Sequence, residues 1–274
     1  MSDSAFIGPV EAPQLQVMSY NIRRRLPHVN PLSPDRWSRR QPLMKRILRA
    51  EHPSLIGVQE ALQDQARFVR KALGDRYALI GHGREANRGG EGCPIFYDRD
   101  RLEVLDWEQT ALSDTPSVSG STTWGNRTPR IVVNATFRDL ATGIRFQAVN
   151  THFDNVSRIA RERSATLVQG MVAASGLPAV VTGDFNTDVR TLPYNDILDG
   201  DTLVDCFETA AGRVGEKWGT FPNYRAPRRE HKRIDWVLAT PNVVVLQCGI
   251  NVTRYGGGWA SDHAAVQAVV AFPA

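Results

Sequence analysis

Short runs of apolar residues, many of them β-branched, recur along the chain and are typical of buried strands. The runs that we interpret as strands are LQVMSYN, SLIGVQE, YALIG, CPIFYD, LEVLDWEQ, RIVVNATFRD, IRFQAVNTHFD, LPAVVTGDFN, RIDWVLA, NVVVLQCGINVT and AAVQAVVAF. Apolar residues at helical spacing predict helices in WSRRQPLMKRILRAEH and LQDQARFVRKALG and over residues 157–174. Pro42 is expected near the start of the first helix and Pro53 just past its end, while Gly74 is expected to stop the second.

The ratio of strands to helices narrows the choice of architecture. One sheet flanked by helices does not accommodate so many strands, whereas two packed sheets with helices outside them do. No repeat of fixed period and no Gly/Ser or Pro linker divides the chain. We therefore predict an α/β fold in which residues 15–274 form a single domain, preceded by a flexible leader over residues 1–14.

Composition places the chain among globular proteins, since 42% of its 274 residues are apolar and 23% are charged. The chain has no stretch of eighteen apolar residues, so we predict no membrane span. The N-terminus lacks the basic and apolar regions of a secretory signal, and the three cysteines form neither a metal motif nor a disulfide framework. We therefore expect a cytoplasmic protein. No heptad or apolar stripe indicates an oligomer, so the expected state is a monomer.

Basic residues are concentrated in two segments, although the net charge of 33 − 29 = +4 is mild. These segments are NIRRRLPHVNPLSPDRWSRRQPLMKRILRA and YRAPRREHKRID. Runs of this kind are usually solvated faces. They also create a field that attracts an anionic substrate, and the sequence leaves both readings open.

Polar side chains able to bind a metal ion or a proton recur where the predicted strands end or begin. They are Asn21, Glu60, Asn150, His152, Asp184, Asn186, Asp235, Asp262 and His263. Each alone has an ordinary explanation as a turn residue, a helix cap or a hydrogen-bonded histidine. Six strand edges that all deliver acids, amides or imidazoles indicate one shared site, because polar groups gathered against a core need partners such as a metal ion and a phosphate.

The residue types at these positions indicate the chemistry. Carboxylate and amide oxygens with few histidines favour Mg²⁺ or Mn²⁺ over Zn²⁺. The chain has no HExxH, GxxxxGK[ST], GxGxxG or GxSxG motif, which argues against a zinc protease, a P-loop or dinucleotide site and a serine hydrolase. What remains is hydrolysis of a phosphoester by a metal-assisted water, with an Asp to activate the water and a His to stabilise the phosphate oxygens or transfer a proton.

Six motifs occur in a fixed order over roughly residues 15–271, namely SYNIR, GVQEA, NTHFDN, GDFNTD, RIDWVL and SDHAAV. In this order they resemble the endonuclease/exonuclease/phosphatase superfamily. GDFN or SDH alone is only moderately specific, but the full set in register is highly specific. The resemblance implies a four-layered α/β sandwich in which two packed mixed or antiparallel sheets are flanked by helices. It also implies a Mg²⁺-dependent phosphoesterase, with Mn²⁺ as a substitute ion.

The resemblance assigns roles to the residues of these motifs. Glu60 would be the principal Mg²⁺ ligand, and Asn21 beside it at the metal site would orient that site or the phosphate. Asp262 would be a further carboxylate on the metal side. Asp184 would hold the attacking water, and Asn186 would contact the phosphate or align Asp184.

The histidines receive roles in the same way. His263 would face the phosphate, and Asp235 would pair with it and fix its tautomer. His152 resembles the second active-site histidine of nuclease-like and sphingomyelinase-like members, which helps the leaving group or stabilises transition-state charge. Its presence argues against the abasic-site endonuclease branch.

Local segments point to a sub-branch of bacterial and fungal proteins whose substrate is poorly defined. GREANRGGEG, LSDTP and TWGNRTPRI are similar to segments of that group. The group usually has an aromatic residue before LS and an acid before TP. Here Asp114 supplies the acid but Ala111 replaces the aromatic residue, which weakens the sub-branch assignment and leaves the superfamily assignment unchanged.

Four further residues are expected to contact the substrate phosphate. They are Arg23, Arg84, Arg130 and Asn150. Arg23 follows Asn21 by two positions and would share its strand face, while Arg84 lies in a glycine-rich loop that a ligand can approach closely. A surface or structural salt bridge is an equally good explanation for each arginine.

The substrate stays open at this point, as either a phosphorylated small molecule or a nucleic acid. A nuclease would use the basic segments to line a groove, but those segments carry few aromatic residues apart from Trp37 and Tyr224, with Trp218 shortly before the second segment. A non-catalytic binding protein is disfavoured because every expected catalytic position is filled. A zinc or iron enzyme that uses His152 and His263 is the remaining alternative.

Overall fold

The structure, a computed structural model, describes residues 4–27 and 30–273. The α-helices of this part are α1 (Trp37–Glu51), α2 (Gln63–Leu73), α3 (Arg158–Ser175), α4 (Leu192–Leu198) and α5 (Cys206–Thr209). The strands are β1 (Leu15–Asn21), β2 (Leu55–Gln59), β3 (Tyr77–Ile80), β4 (Ile95–Asp98), β5 (Leu102–Ala111), β6 (Ile131–Asp139), β7 (Arg145–His152), β8 (Ala179–Asp184), β9 (Val204–Asp205), β10 (Gly212–Val214), β11 (Asp235–Ala239), β12 (Val244–Asn251) and β13 (Ala265–Ala271). None of these helices is long and apolar enough to cross a membrane.

The strands form two sheets, as the sequence predicted. The first sheet has seven strands in the order β10-β12-β13-β1-β2-β4-β3, and the second has six in the order β5-β6-β7-β8-β11-β9. Both sheets are mixed: β1 and β2 run parallel in the first, and β7 and β8 run parallel in the second, while their outer neighbours are antiparallel. The predicted α/β sandwich of two packed sheets is therefore confirmed.

Three apolar layers hold the sandwich together. One lies between the two sheets, one between the first sheet and helices α1 and α2, and one between the second sheet and helices α3 and α4. Successive residues of a strand face opposite sides, so Val17 packs between the sheets whereas Met18 packs against the helices. Strands covered on both faces read as continuous apolar runs, which is why the sequence showed them as runs without alternation.

Residues 6–8, which lie in the segment predicted to be a flexible leader, contact the buried carboxylate of Glu51. The Glu51 carboxylate accepts backbone N–H groups of Phe6 at 2.7 Å, Ile7 at 3.1 Å and Gly8 at 3.0 Å, and also the hydroxyl of Tyr255. Burial raises the pKa of Glu51, but these donors outweigh it and hold the pKa below its ordinary value. A buried carboxylate needs such donors, and residues 6–8 supply them. Residues 1–3 of the predicted leader lie outside the described part.

The sequence-based assignment of secondary structure needs correction in two places. Pro42 lies inside α1 rather than near its start. The segment between β8 and β11 contains α4, α5, β9 and β10, none of which the apolar pattern indicated. These elements are short, and periodicity is a weak signal over so few residues.

Candidate active site

The predicted site residues meet at one edge of the sandwich because of how the strands are paired. In the first sheet, parallel pairing sets Asn21 at the end of β1 beside the end of β2, which Glu60 follows directly. In the second sheet, His152 at the end of β7 pairs with Asp184 at the end of β8. Strand β11 runs the other way, so its first residue, Asp235, is also opposite Asp184. Strand ends from both sheets therefore converge.

The turn before β13 brings two more predicted residues to this edge. The Ser261 hydroxyl donates to the Asn21 carbonyl at 2.6 Å and accepts the His263 backbone N–H at 3.2 Å. This turn places Asp262 and His263 against the ends of β1 and β2.

Asn21 links the two principal carboxylates. Its side-chain nitrogen donates to Asp184 Oδ2 at 2.8 Å and to Glu60 Oε1 at 3.1 Å, and its oxygen accepts the backbone N–H of Arg23 at 2.9 Å. These partners fix the orientation of the amide. The amide nitrogen of Asn21 therefore orients both carboxylates, while its oxygen accepts a backbone N–H.

Glu60 occupies a left-handed backbone conformation, with φ of 61°, directly after β2. Its Oε2 accepts the backbone N–H of Arg24 at 2.9 Å. Burial raises its pKa, but the Arg24 N–H, the Asn21 amide and nearby positive charges together hold the pKa below the ordinary value. Ligand atoms of Glu60, Asp184 and His263 lie within 4.8 Å of one another, a spacing that can hold a metal ion.

Asp184 is buried and has an unusual acidity. Burial and, next, the charge of Asp235 raise its pKa to about 7. Its Oδ1 accepts the backbone N–H of Asn186 at 3.0 Å. A carboxylate with a pKa close to neutrality is suited to take a proton from water.

The two histidines differ in charge. Nδ1 of His263 contacts the Asp235 carboxylate at 2.9 and 3.1 Å, which leaves Nε2 facing Asp184 Oδ2 at 3.8 Å. Burial lowers the pKa of His263, but the charges of Asp235 and Asp184 outweigh it and raise the pKa to about 10. The His263 imidazole is therefore a cation whose orientation Asp235 fixes.

His152 is instead neutral. The side-chain nitrogen of Asn186 donates to the Phe153 carbonyl at 3.0 Å and lies 2.9 Å from Nε2 of His152, and Asp184 Oδ2 lies 3.4 Å from the same Nε2. Burial lowers the pKa of His152, and the charges of Arg130 and Arg84 lower it further. Asn186 thus aligns His152 through its side chain and Asp184 through its backbone.

Arg130 and Arg84 form a basic wall of the pocket. Arg130 donates from Nε to Asp154 at 3.1 Å and from Nη2 to Asn155 at 2.9 Å, but its buried Nη1 has no hydrogen-bond partner among the described residues. Arg84 pairs with Glu91 at 2.9 Å. Burial lowers the pKa of Arg84, and the neighbouring charge of Arg130 adds to that effect.

These side chains line a cavity of about 320 Å³. The predicted residues that line it are Arg23, Glu60, Arg84, Arg130, His152, Asp184, Asn186, Asp262 and His263. Asn21 and Asp235 lie behind this lining and hold it in place. A larger cavity of about 740 Å³ lies on the other side of loop 81–92, and its walls contain no predicted site residue.

Sequence reasoning missed five residues of the cavity. They are Arg24, Glu91, Thr128, Asn155 and Phe221. Asn155 ends the NTHFDN motif, and that position was the available signal for it. Glu91 bridges Arg24 and Arg84, and Phe221 packs its ring on His263 with centroids 4.7 Å apart. Both lie in loops, and only tertiary contacts place them.

Asn150, which was expected to contact the phosphate, does not line the cavity. It is fully buried between the sheets, where its nitrogen donates to the carbonyls of Val58 at 2.9 Å and Cys93 at 3.0 Å. Its oxygen accepts from Gln59 at 2.7 Å. A Cβ on the neighbouring Gly57 would lie 2.6 Å from that oxygen, so only glycine leaves room for this amide. Asn150 joins the two sheets beneath the site.

We expect Asn150→Ala to lower the free energy of unfolding by about 2–4 kcal/mol, because several buried polar groups lose their partner at once. Binding of inorganic phosphate should change little, since the side chain is outside the cavity. Urea titration measures the first effect and isothermal titration calorimetry the second. An unchanged urea midpoint together with weaker phosphate binding would instead indicate that Asn150 contacts the phosphate.

A two-sheet sandwich with acids, amides and imidazoles at one shared edge is the architecture of phosphoesterases and nucleases of the endonuclease/exonuclease/phosphatase fold. A sequence model described as the Endonuclease/Exonuclease/phosphatase family matches residues 18–263, and the chain belongs to this family. The resemblance carried by the six motifs is therefore confirmed.

Solved structures and a curated protein show the same relationship. A Bacteroides vulgatus protein described by the family name is 33% identical with a TM-score of 0.88, covering 95% of this chain and 99% of that one. A mannosyl-6-phosphatase from Bacteroides thetaiotaomicron is 30% identical with a TM-score of 0.86, covering 94% of this chain and 100% of that one. Nocturnin from Drosophila melanogaster is 25% identical over 218 residues, which are 72% of this chain but only 32% of that protein.

Proposed function

We propose that the chain is a Mg²⁺-dependent phosphoesterase in which Asp184 positions and deprotonates the attacking water. The observation that carries this proposal is the convergence of Glu60, Asp184 and His263 on one small cavity, with ligand atoms within 4.8 Å of one another. Carboxylates held by both sheets and a cationic imidazole meet there. This set matches the needs of a phosphate, a water and a divalent cation.

The donor set fits Mg²⁺ or Mn²⁺. Glu60 and Asp262 offer carboxylate oxygens, which hard divalent cations prefer, and the lowered pKa of Glu60 keeps it ionised. The His263 imidazole is protonated, so we assign it to the phosphate rather than to the metal. When bound, the ion supplies positive charge that polarises the phosphoryl oxygen and the leaving oxygen.

Protein side chains supply proton transfer, phosphate binding and stabilisation of the transition state. Asp184, with a pKa of about 7, takes the proton of the attacking water. The His263 cation donates from Nε2 to a non-bridging phosphate oxygen, because Asp235 occupies its other nitrogen. Asn186 keeps the neutral His152 oriented, and His152 stabilises charge that develops in the transition state.

The basic wall recognises the phosphate itself. Arg130 has a buried Nη1 without a partner in the described part of the chain, and a phosphate oxygen would satisfy it. Arg84 lies beside Arg130 on the same wall. Charge-assisted hydrogen bonds from guanidinium groups are strong and suit phosphate oxygens.

Two observations favour a phosphorylated small molecule as substrate. The cavity of about 320 Å³ is at the small end of the range for ligand sites. The relative that is 30% identical and matched over its whole length is a mannosyl-6-phosphatase, which supports a sugar phosphate or another phosphomonoester. A nuclease is the second candidate, favoured by Arg23 and Arg24 on the cavity wall and Arg25 next to them in the chain.

Phosphate release from a panel of substrates tests the proposal. We expect hydrolysis of mannose 6-phosphate or another phosphomonoester with Mg²⁺ or Mn²⁺, loss of activity with EDTA, and recovery when metal is restored. Hydrolysis of a matched diester or of single-stranded DNA, with binding that weakens steeply as salt rises, would favour the nuclease. Activity that resists EDTA, stoichiometric zinc or iron in the purified protein, or no hydrolysis of any ester would overturn the proposal.

A further inference from the structure

Phe221 places an apolar ring in the wall of an otherwise polar cavity. The other described residues that line this cavity of about 320 Å³ have charged or polar side chains. Phe221 lies in the loop between β10 and β11, and its side chain is 40% exposed. A single exposed apolar side chain needs no explanation elsewhere on a protein surface, but this one borders the space that the substrate must enter.

The backbone on both sides of Phe221 is tied to the residues of the site. Thr220 is fully buried, and its hydroxyl accepts the backbone N–H of Asp235 at 3.1 Å. On the other side, the backbone N–H of Asn223 donates to the carbonyl of Asp262 at 2.9 Å. The ring is therefore presented from the same framework that holds the catalytic side chains, and its position relative to them is set by the fold.

The ring of Phe221 also packs on the imidazole that we assign to the phosphate. The ring centroids of Phe221 and His263 are 4.7 Å apart, and the two planes are inclined by 49°. Because His263 is assigned to a phosphate oxygen and Phe221 lines the same cavity, the group that the phosphate carries comes within reach of the exposed part of the phenyl ring. Aromatic rings in binding sites supply a large apolar contact area with a defined face.

We infer that Phe221 is a specificity-determining residue, which stacks on the ring of a cyclic sugar that forms the leaving group of the substrate. The inference rests on the proposed phosphoesterase site and names the class of alcohol that this site accepts. A sugar ring has C–H groups on its faces and hydroxyl groups around its edge. Phe221 covers one face, while polar groups of the same cavity take the hydroxyls.

Two polar side chains of the cavity suit this role. Arg130 occupies the side-chain oxygen of Asn155 at 2.9 Å, and the side-chain nitrogen of Asn155 can donate to a hydroxyl. The Thr128 hydroxyl can both donate and accept. One apolar face among many polar groups fits a hydroxyl-rich ring better than a nucleobase, and the small volume of the cavity favours the smaller group as well.

Two substrates that differ chiefly in the ring test this inference. Mannose 6-phosphate is cyclic, and mannitol 1-phosphate is its reduced, open-chain counterpart. Phe221→Leu keeps an apolar side chain but removes the flat face, so it should raise KM for mannose 6-phosphate about tenfold or more. The kcat should change little, because stacking on the leaving group is made equally in the bound substrate and in the transition state. KM for mannitol 1-phosphate should stay near its native value, and Phe221→Tyr should keep the native KM for both.

A role that acts only through His263 would give a different result. Phe221→Leu would then lower kcat/KM for both substrates equally and move the alkaline limb of the pH profile, because the imidazole cation would lose its aromatic neighbour. Trp107→Leu is the matched control. Trp107 on β5 is also 40% exposed but does not line the cavity, so its variant should keep both KM values.

The possible outcomes separate this inference from the proposed function. Equal effects of Phe221→Leu on the cyclic and open-chain substrates, or no effect on either, would overturn the inference and leave the phosphoesterase proposal standing. A larger effect on adenosine 5′-monophosphate than on mannose 6-phosphate would replace the sugar by a nucleobase. Hydrolysis of other phosphate esters but of neither sugar compound would also overturn the inference alone, whereas no hydrolysis of any phosphate ester would overturn both.

Discussion

Asp184→Asn is expected to reduce kcat for phosphate-ester hydrolysis by about 10²–10⁴-fold with little change in KM. The substitution keeps the size of the side chain and an oxygen that can accept the Asn21 or Asn186 donor, but it removes the group that takes the proton of water. Because burial and the charge of Asp235 raise the pKa of Asp184 to about 7, the native enzyme should gain activity as pH rises through this range. A bound divalent cation favours the carboxylate and moves that rise to lower pH.

Asp188→Asn is the matched control, four residues along in the same motif. Oδ1 of Asp188 accepts the backbone N–H of Val189 at 3.0 Å and of Arg233 at 2.9 Å, and a carboxamide oxygen can accept both. Asp188 does not line the cavity, so its variant should keep native kcat. Initial rates over a pH series measure both variants. An Asp184→Asn enzyme with more than a tenth of native kcat would rule out Asp184 as the base.

Asp235→Asn is expected to lower kcat/KM by about 10²–10³-fold and to move the alkaline limb of the pH profile to lower pH. Burial lowers the pKa of His263, and the charge of Asp235 is the largest of the effects that overcome it and raise the pKa to about 10. The imidazole works as a cation, which exists below its pKa. Without the Asp235 charge the pKa falls, so the cation and the activity are lost at lower pH than in the native enzyme.

A double-mutant cycle isolates this pair. If Asp235 acts through His263, the double variant Asp235→Asn/His263→Ala should be no slower than His263→Ala alone. The profile of kcat/KM against pH supplies the second readout, which a general loss of stability would not shift in this direction. An alkaline limb at its native position in Asp235→Asn would contradict the assigned role.

The sequence indicated which residues come together where a motif coincides with the end of a strand. Glu60, Asp184 and His263 each stand directly at the end or beginning of an apolar run, and parallel or antiparallel pairing brings such ends to one edge. Asn150 shows the limit of the same reasoning. It shares a strand face with His152 but lies two residues earlier, about 7 Å deeper along the strand, where the other sheet covers it. The two-residue period of a strand shows which face of the sheet a side chain is on. How deeply that side chain is buried depends on the opposing sheet, which the period does not show.

The loop residues that line the cavity were not predicted, for a different reason. Glu91 reaches the cavity because Arg24 at 3.0 Å and Arg84 at 2.9 Å hold it there, and these contacts join segments far apart in sequence. The contacts of the N-terminal segment were not predicted either, because their acceptor, Glu51, is the last residue of α1. A helix pattern gives no sign that such an acid will be buried. Long-range hydrogen bonds between single polar residues leave no periodic signal.

Both sheets contribute residues to the candidate active site. Glu60, Asp262 and His263 lie directly after or before strands of the first sheet, whereas Asp184 and Asp235 are in strands of the second. The Asn21–Asp184 and His263–Asp235 bonds therefore cross from one sheet to the other. The spacing of the sheets, which Asn150 and Gly57 hold beneath the site, sets the separation of the reacting groups. A change in the width of the hydrophobic core between the sheets would therefore also change the distances between the groups of the candidate active site.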